Sequence, residues 1–343
     1  FLFASATLPL FLENKLVEEL KILPTNNIFP NKSNKLDLSV LQKQRHRLNI
    51  HHGDILQNIE EMVSEIKNSN ETALVICNHV TTSQKVYEII VHEFKLEAKL
   101  LHARFNSEDR FIIEKEILCK NPPRILISTQ AVEVSLNLDY ERGYTEPAPI
   151  DALVQRFGRI NRAGSRPPAS ITVFETPSLK TSIGIPMFKP YDKAIIEKTM
   201  KSLPTDDVLS EERLVNIINE VYGNEYLGES KEEFERGLRN SIINNFNENI
   251  IAGSYRPWVE DIIEEQQEEV LPFSLLERYD EYRKQRRYLE SNQLLVPIRC
   301  GQKWKMLKDK TMFFDKERQL WTTNLKYSNN TGLSMNTTET NLF

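Results

Sequence analysis

The chain has 343 residues, enough for two or more domains and a substantial core. Hydrophobic residues make up 40% and charged residues 27%, the balance of an ordinary globular protein, and no apolar run approaches the length of a membrane span. The formal net charge of -5 excludes a global basic field, so any nucleic-acid contact must be a local groove.

In chain order, Phe1 to Ala4 reads as a buried strand that opens the sequence without an initiator methionine, so we expect the sequence to begin inside a larger protein. Ser5-Ala6-Thr7 ends that strand, and Pro9 suits the first turn of a helix running to about Lys21. Pro24 to Ser39 is polar and proline-broken, as a linker would be. Strand-like Arg47 to His51 is followed by Asp54 as an expected N-cap and a helix whose Ile55, Ile59, Met62, Val63 and Ile66 share a face. The unit repeats with strands Ala73 to Cys77, Lys99 to His102, Arg124 to Ile127 and Ile171 to Phe174, and helices Thr82 to Phe94 and Ser107 to Lys120 between them. This alternation predicts an α/β fold with a parallel sheet covered by helices on both faces, whose ligands collect at the carboxyl ends of strands.

Beyond Thr176 the alternation stops. Tyr191 to Leu203, Glu211 to Tyr222, Glu232 to Asn245 and Ser274 to Glu290 read as helices, and Gln293 to Ile298, Met306 to Phe314 and Leu320 to Tyr327 as strands, which describes a mixed α+β accessory domain. Six acidic residues in Glu260 to Glu269 read as a solvated face, because nothing pairs their carboxylates as metal ligands; no metal site is predicted in the chain. His51, His52 and Asp54 lack the further ligands that a metal-dependent nuclease needs. The three cysteines, Cys77, Cys119 and Cys300, suggest neither a disulfide framework nor a zinc site and fit a reducing cytoplasm.

Chemistry concentrates in Gln155-Arg156-Phe157-Gly158-Arg159-Ile160-Asn161-Arg162. Apolar Ile150, Ala152, Leu153, Phe157 and Ile160 predict a packed helix, on which Gln155, Arg159 and Arg162 would form one polar stripe. A stripe of permanently charged forks suits a phosphate; a solvated basic face is the alternative. Other polar groups fall at strand ends: Ser5 and Thr7, Asn78 with Gln84 shortly after, and Ser128-Thr129-Gln130. Such hydroxyls and amides suit phosphate oxygens of a nucleotide or a nucleic-acid backbone.

Ser5-Ala6-Thr7 resembles motif III of superfamily-two helicases, Ile127 to Asp139 resembles motif V, and Gln155 to Arg162 is the Gln-Arg-x-Gly-Arg-x-x-Arg of motif VI. Leu101-His102-Ala103-Arg104-Phe105, the Glu-Val-Ser-Leu wording of motif V and Pro149 to Leu153 are similar to the helicase part of the CRISPR-associated helicase-nuclease of type I interference systems. Val270-Leu271-Pro272 and Tyr327 to Gly332-Leu333 echo that family's C-terminal domain. The motif likeness covers about residues 1 to 176 and is weak beyond it.

The resemblance implies a RecA-like sheet and five segments: residues 1-23 as the end of a first RecA-like lobe, 24-45 as a linker, 46-176 as the second lobe, 177-327 as the accessory domain and 328-343 as a tail. It implies that Arg159 and Arg162 act as arginine fingers on ATP and that Gln155 contacts the nucleotide or its attacking water. Arg104, Thr129, Gln130 and Asn78 would hold single-stranded DNA, while Ser5 and Thr7 would couple ATP state to lobe motion. By the same resemblance Asn137 would stand near the nucleotide, at a position where related motifs usually carry aspartate. No Gly-x-x-x-x-Gly-Lys-Ser/Thr loop and no Asp-Glu pair for magnesium occur, so ATP and Mg2+ would be held mainly by a first lobe elsewhere, and the chain alone is expected to be inactive. The implied partners are single-stranded DNA, a CRISPR surveillance complex, and the first lobe and nuclease domain of the parent, in the cytoplasm and with no membrane. Two alternatives stand beside this: another superfamily-two DNA or RNA helicase, and a non-catalytic nucleic-acid-binding module.

Overall fold

The structure is a computed structural model that describes residues 8–19, 21, 30, 32–119, 121–133, 136–238 and 267–335. The expected first strand Phe1 to Ala4, with Ser5 and Thr7, lies outside the described residues, as do residues 260–266 of the acidic run and the tail from 336 onward.

Seven strands form a mixed sheet: β1 (Gln44–His51), β2 (Ala73–Ile76), β3 (Lys99–Leu101), β4 (Ile125–Ser128), β5 (Arg142–Thr145), β6 (Ala169–Phe174) and β7 (Asp207–Ser210), in the order β3-β4-β2-β5-β6-β1-β7. The pairs β3–β4, β2–β5, β5–β6 and β6–β1 are parallel, and β7 runs antiparallel to β1. Every residue of β2 and of β4 is buried, the pattern of a sheet covered on both faces. The fold is thus α/β, with a smaller second sheet in the C-terminal part. The chain divides into two compact units.

The first unit comprises the described residues of Phe1–Asn78, Val132–Leu179 and Pro186–Arg239. It holds α1 (Leu10–Glu19), α2 (Lys35–Leu41) and α3 (Ile59–Ser69). The proline-broken linker contains a helix after all, because the Asn34 side chain accepts from Leu36 N at 2.9 Å and caps α2. In α3 the spacing of Ile59, Met62, Val63 and Ile66 places all four in the core, each worth about 2 kcal/mol of burial. The expected boundary at 176 falls inside this unit. β7 joins the sheet through Leu48↔Asp207 and Arg47↔Val208, and Ser210 then caps α8 (Glu211–Tyr222) by accepting from Arg213 N at 3.2 Å. Helix α8 packs against both α6 (Ile150–Phe157) and α7 (Lys193–Ser202), and α9 (Gly228–Leu238) closes the described part of the unit.

The second unit comprises the described residues of His79–Ala131, Lys180–Ile185 and Asn240–Phe343. Helix α4 (Val80–Glu88) continues through a π-helical turn, Ile89–Glu93, and α5 (Ser107–Ile117) follows β3. Helix α5 opens at Ser107 as expected, capped by the preceding Asn106, whose side chain accepts from Asp109 N at 2.7 Å. The second sheet has the order β10-β11-β8-β9, built from β8 (Gln267–Pro272), β9 (Val296–Arg299), β10 (Met312–Asp315) and β11 (Leu320–Thr323). The expected single helix 274–290 is two, α10 (Leu276–Lys284) and α11 (Tyr288–Gln293), and the first three residues of the expected strand 306–314 belong to α12 (Cys300–Lys308). Met306 points from α12 into the same core as Val270, Val296, Ile298 and Met312, so its apolar character serves a helix. A last hairpin joins β12 (Tyr327–Ser328) to β13 (Gly332–Leu333).

Candidate nucleotide and nucleic-acid interface

Helix α6 stops at Phe157, short of the expected stripe. Arg159 N and Ile160 N turn back to Arg156 O and Phe157 O, both at 3.0 Å, and Ile160 leaves the helix to form a parallel bridge with Tyr140. The close approach needs Gly143, since a Cβ there would lie 2.1 Å from Ile160 Cδ1. Asn161 adopts a positive φ of 44° and donates from its amide to Arg45 O, Arg166 O and Pro167 O, which fixes the exit. Gln155 is therefore on the helix and exposed, whereas Arg159 and Arg162 sit on successive turns beyond it.

The arginines of this stretch differ in what balances their charge. Arg156 is fully buried: its Nε donates to Glu133 Oε1 at 2.8 Å, and its remaining nitrogens donate to Thr145 Oγ1, Glu146 O, Asn78 Oδ1 and Tyr191 OH. Arg166 pairs with Asp139. Arg159 donates to the backbone carbonyls of Val132, at 2.7 Å, and Glu133, and the exposed Arg162 donates from Nη1 to Gly158 O at 3.3 Å. Among the described residues neither Arg159 nor Arg162 has a carboxylate within ion-pair distance. Burial, and then the neighbouring Arg162 cation, lower the Arg159 pKa from its ordinary value. Glu133, itself paired with Arg156, offsets this only in part. Two neighbouring guanidiniums with no carboxylate in ion-pair distance attract an anion with several oxygens, such as a phosphate.

The Asn78 side chain is committed inside the protein, accepting from Arg156 and donating from Nδ2 to Pro147 O at 2.8 Å. Its expected DNA contact is corrected to an internal tie, because both ends of the amide are engaged and the residue is 4% exposed. Asn137 is exposed on the segment that leads to Tyr140. Sequence reasoning missed Arg156 as a structural residue, though it lies between Leu153 and Phe157 on the apolar face of α6, and missed Glu133 and Tyr191 as its partners.

In the second unit, Thr129 follows β4 and is 4% exposed, Gln130 is partly exposed, and Arg104 is 5% exposed. In this conformation the side chains of Arg104 and Thr129 present little surface to DNA. The loop carrying Arg104 is held by the β12–β13 hairpin, some 220 residues later: Leu333 N donates to Arg104 O at 2.9 Å, Tyr327 OH accepts from Asn106 N and donates to Asp109 Oδ2 at 2.6 Å, and Gln84 donates to Thr331 O and Leu333 O. Gly332 has φ of 66°, and a Cβ there would meet Arg104 O at 2.7 Å. His102 Nδ1 accepts from Arg104 N at 3.1 Å, so the neutral ring carries its proton on Nε2 and donates to Thr331 O.

Burial first, and then Arg104, lower the His102 pKa to about 3; burial lowers that of His46, whose Nε2 donates to Ile160 O, to about 4. Above the unfolded value of 6.5 both rings are neutral whether folded or not. Below it the unfolded chain takes up protons that the folded chain excludes, so stability falls with pH, by about 2 kcal/mol per histidine at pH 5. The urea midpoint should therefore drop sharply between pH 7.5 and pH 5, and equal midpoints would contradict the buried neutral assignment.

Residues 69–165 match the family model for the C-terminal part of CRISPR-associated nuclease/helicase Cas3. The CRISPR-associated endonuclease/helicase Cas3 of Thermus thermophilus is 35% identical over 156 residues, covering 41% of this chain and 16% of that protein. The Escherichia coli K12 protein of the same name is 33% identical over 113 residues, covering 30% of this chain and 13% of its own length. The matches thus span well under a fifth of these relatives. Among solved structures, T. fusca Cas3-ATP is similar with a TM-score of 0.50 at 19% identity, over 67% of this chain and 31% of that one. A chain of a CRISPR RNA-guided surveillance complex in a pre-nicking state is similar with a TM-score of 0.52 at 17% identity, over 87% of this chain and 43% of that one. The resemblance carried by motifs V and VI is thereby found independently, and over residues 69–165 this chain is similar to the C-terminal helicase region of Cas3.

Proposed function

We propose that the chain is the C-terminal part of an ATP-driven, single-stranded-DNA translocase and helicase acting in type I CRISPR interference with a surveillance complex. The reading rests on the Arg159 and Arg162 pair, which has no carboxylate within ion-pair distance among the described residues while Arg156 and Arg166 beside it are neutralised. In this reading a first RecA-like lobe and Mg2+ hold the triphosphate. Arg159 and Arg162 reach its γ-phosphate, with exposed Gln155 and Asn137 beside the nucleotide. The donor set fits: two guanidiniums neutralise charge on the transferring phosphoryl group once the cleft closes. The Thr129–Gln130 turn and the Arg104 loop face the DNA backbone, where contact without base readout suits a translocase; Arg104 has to turn outward to take part. Ser5 and Thr7 couple the lobes. No helix of the described residues is long and apolar enough to cross a membrane. The CRISPR-interference reading itself places the work in the cytoplasm.

The test compares two arginines in the polypeptide that also carries the nucleotide-binding lobe. Arg162→Ala should depress DNA-stimulated ATP hydrolysis strongly, while Arg166→Ala, which removes a charge already matched by Asp139, should cost much less. Equal rates for Arg162→Ala and the parent would contradict the assignment.

A further inference from the structure

The turn between α10 and α11 is a second candidate site for a polyanion. Five of the ten residues 278–287 are Arg or Lys, in a chain whose formal net charge is -5. Arg283, Lys284, Arg286 and Arg287 are all exposed. Arg287 pairs with Glu290 at 3.0 Å, but Arg283, Lys284 and Arg286 have no carboxylate within ion-pair distance among the described residues; the carboxylate that Lys284 does feel, Asp280, is already paired with Arg318. The two arginines flanking the turn are also held in place. The Arg283 guanidinium lies over the Tyr288 ring at 4.7 Å and near that of Tyr279 at 5.8 Å, and Arg287 lies over Tyr282 at 4.5 Å. Stacking fixes a guanidinium through its face and leaves its N–H edge free for a phosphate oxygen.

The backbone supplies an independent sign. Arg287 N donates to Tyr282 O at 2.9 Å and Arg286 N to Arg283 O at 3.0 Å, the bonds of a Schellman ending, which places Arg286 at φ of 59°. Glycine is the residue that this position favours; an arginine there keeps a charge at the expense of backbone strain. The same strained turn splits the expected helix and brings Tyr288, 51% exposed, beside the cations. The patch is anchored to the start of α5, just after the Arg104 loop: Arg278 donates to Glu108 Oε1 at 2.6 Å and so does Tyr282 OH at 3.3 Å.

We infer that residues 283–288 bind the phosphate backbone of single-stranded DNA, extending along the second unit the path that begins at the Arg104 loop. Exposed aromatic surface among exposed cations is the composition that holds single strands, where bases stack while the backbone is neutralised. The identity of the ligand rests on the translocase reading above; the existence of an exposed cationic patch does not.

Fluorescence anisotropy of the 343-residue chain with a fluorescein-labelled single-stranded oligonucleotide of mixed sequence, from 50 to 200 mM salt, tests the inference. Arg283→Ala/Lys284→Ala/Arg286→Ala should weaken binding about tenfold or more at low salt, and flatten the plot of log affinity against log salt by about 2, at roughly 0.7 per lost phosphate contact. Arg286→Gly should move two readouts in opposite directions, raising the melting temperature while weakening the DNA complex severalfold. A triple variant with the parent's affinity and salt slope overturns the inference and leaves the translocase reading intact, pointing instead to an acidic protein partner. A parent chain that binds no single strand at all overturns the ligand assignment together with that reading.

Discussion

Replacing Arg156 with alanine is expected to destabilise the unit that contains it by about 3–5 kcal/mol, the cost of removing one partner from a buried ion pair. The guanidinium is fully buried, and its loss leaves Glu133, 11% exposed, without a counter-charge and strips a donor from Thr145, Glu146, Asn78 and Tyr191 at once. An unfolding transition of a unit this size moves by a few degrees per kcal/mol, so the melting temperature should fall by roughly 10 °C or more. Removing both charges together, as Arg156→Met with Glu133→Leu, should recover part of the loss, because no charge then remains buried alone. A loss under about 1 kcal/mol for the alanine variant would show that Arg156 does not tie these segments together.

The network also explains how the candidate fingers are placed. Glu133 serves twice: its carboxylate accepts from Arg156 and its backbone carbonyl accepts from Arg159. Asn78 at the end of β2, Glu133 after β4, and α6 are thus drawn to one point, and the guanidinium of Arg159 is aimed by the same turn that pairs with Arg156. The motif's first arginine is a buried support, and its second and third are the two without a carboxylate in ion-pair distance among the described residues.

Much of the α/β texture was legible in the sequence because it is local. The wholly apolar run of β2 and the spacing of Ile59, Met62, Val63 and Ile66 state their own burial, and α8 falls where its period and Ser210 cap place it. Features made by distant partners were not legible. The end of α6 depends on Tyr140 and Gly143, which the helix's own periodicity cannot reveal. β7 is a four-residue strand that exists because β1 offers it an edge, so the accessory domain was expected to begin too early. Asn78 looked like a ligand-facing amide at a strand end, and its partner lies 78 residues away. The split at Gln285–Arg287 uses arginine where the usual helix stop is glycine, and so gave no stop signal. The likeness of motif VI singled out Arg159 and Arg162 as candidates, while only the structure shows that Arg156 beside them is buried and neutralised by Glu133.

The central claim is that Arg159 and Arg162 act on a phosphoryl group as it transfers. An arginine finger is worth about 10³-fold or more in turnover, since it stabilises charge that appears mainly in the transition state. Such a loss falls on kcat more than on KM, and two residues that act as a unit are not additive, so a double variant should be little worse than the poorer single one. The decisive measurement is the rate of DNA-stimulated ATP hydrolysis by Arg159→Ala, in the polypeptide that also carries the nucleotide-binding lobe. We predict a fall in kcat of about 10³-fold with KM for ATP changed severalfold at most; turnover equal to that of the parent would contradict the account.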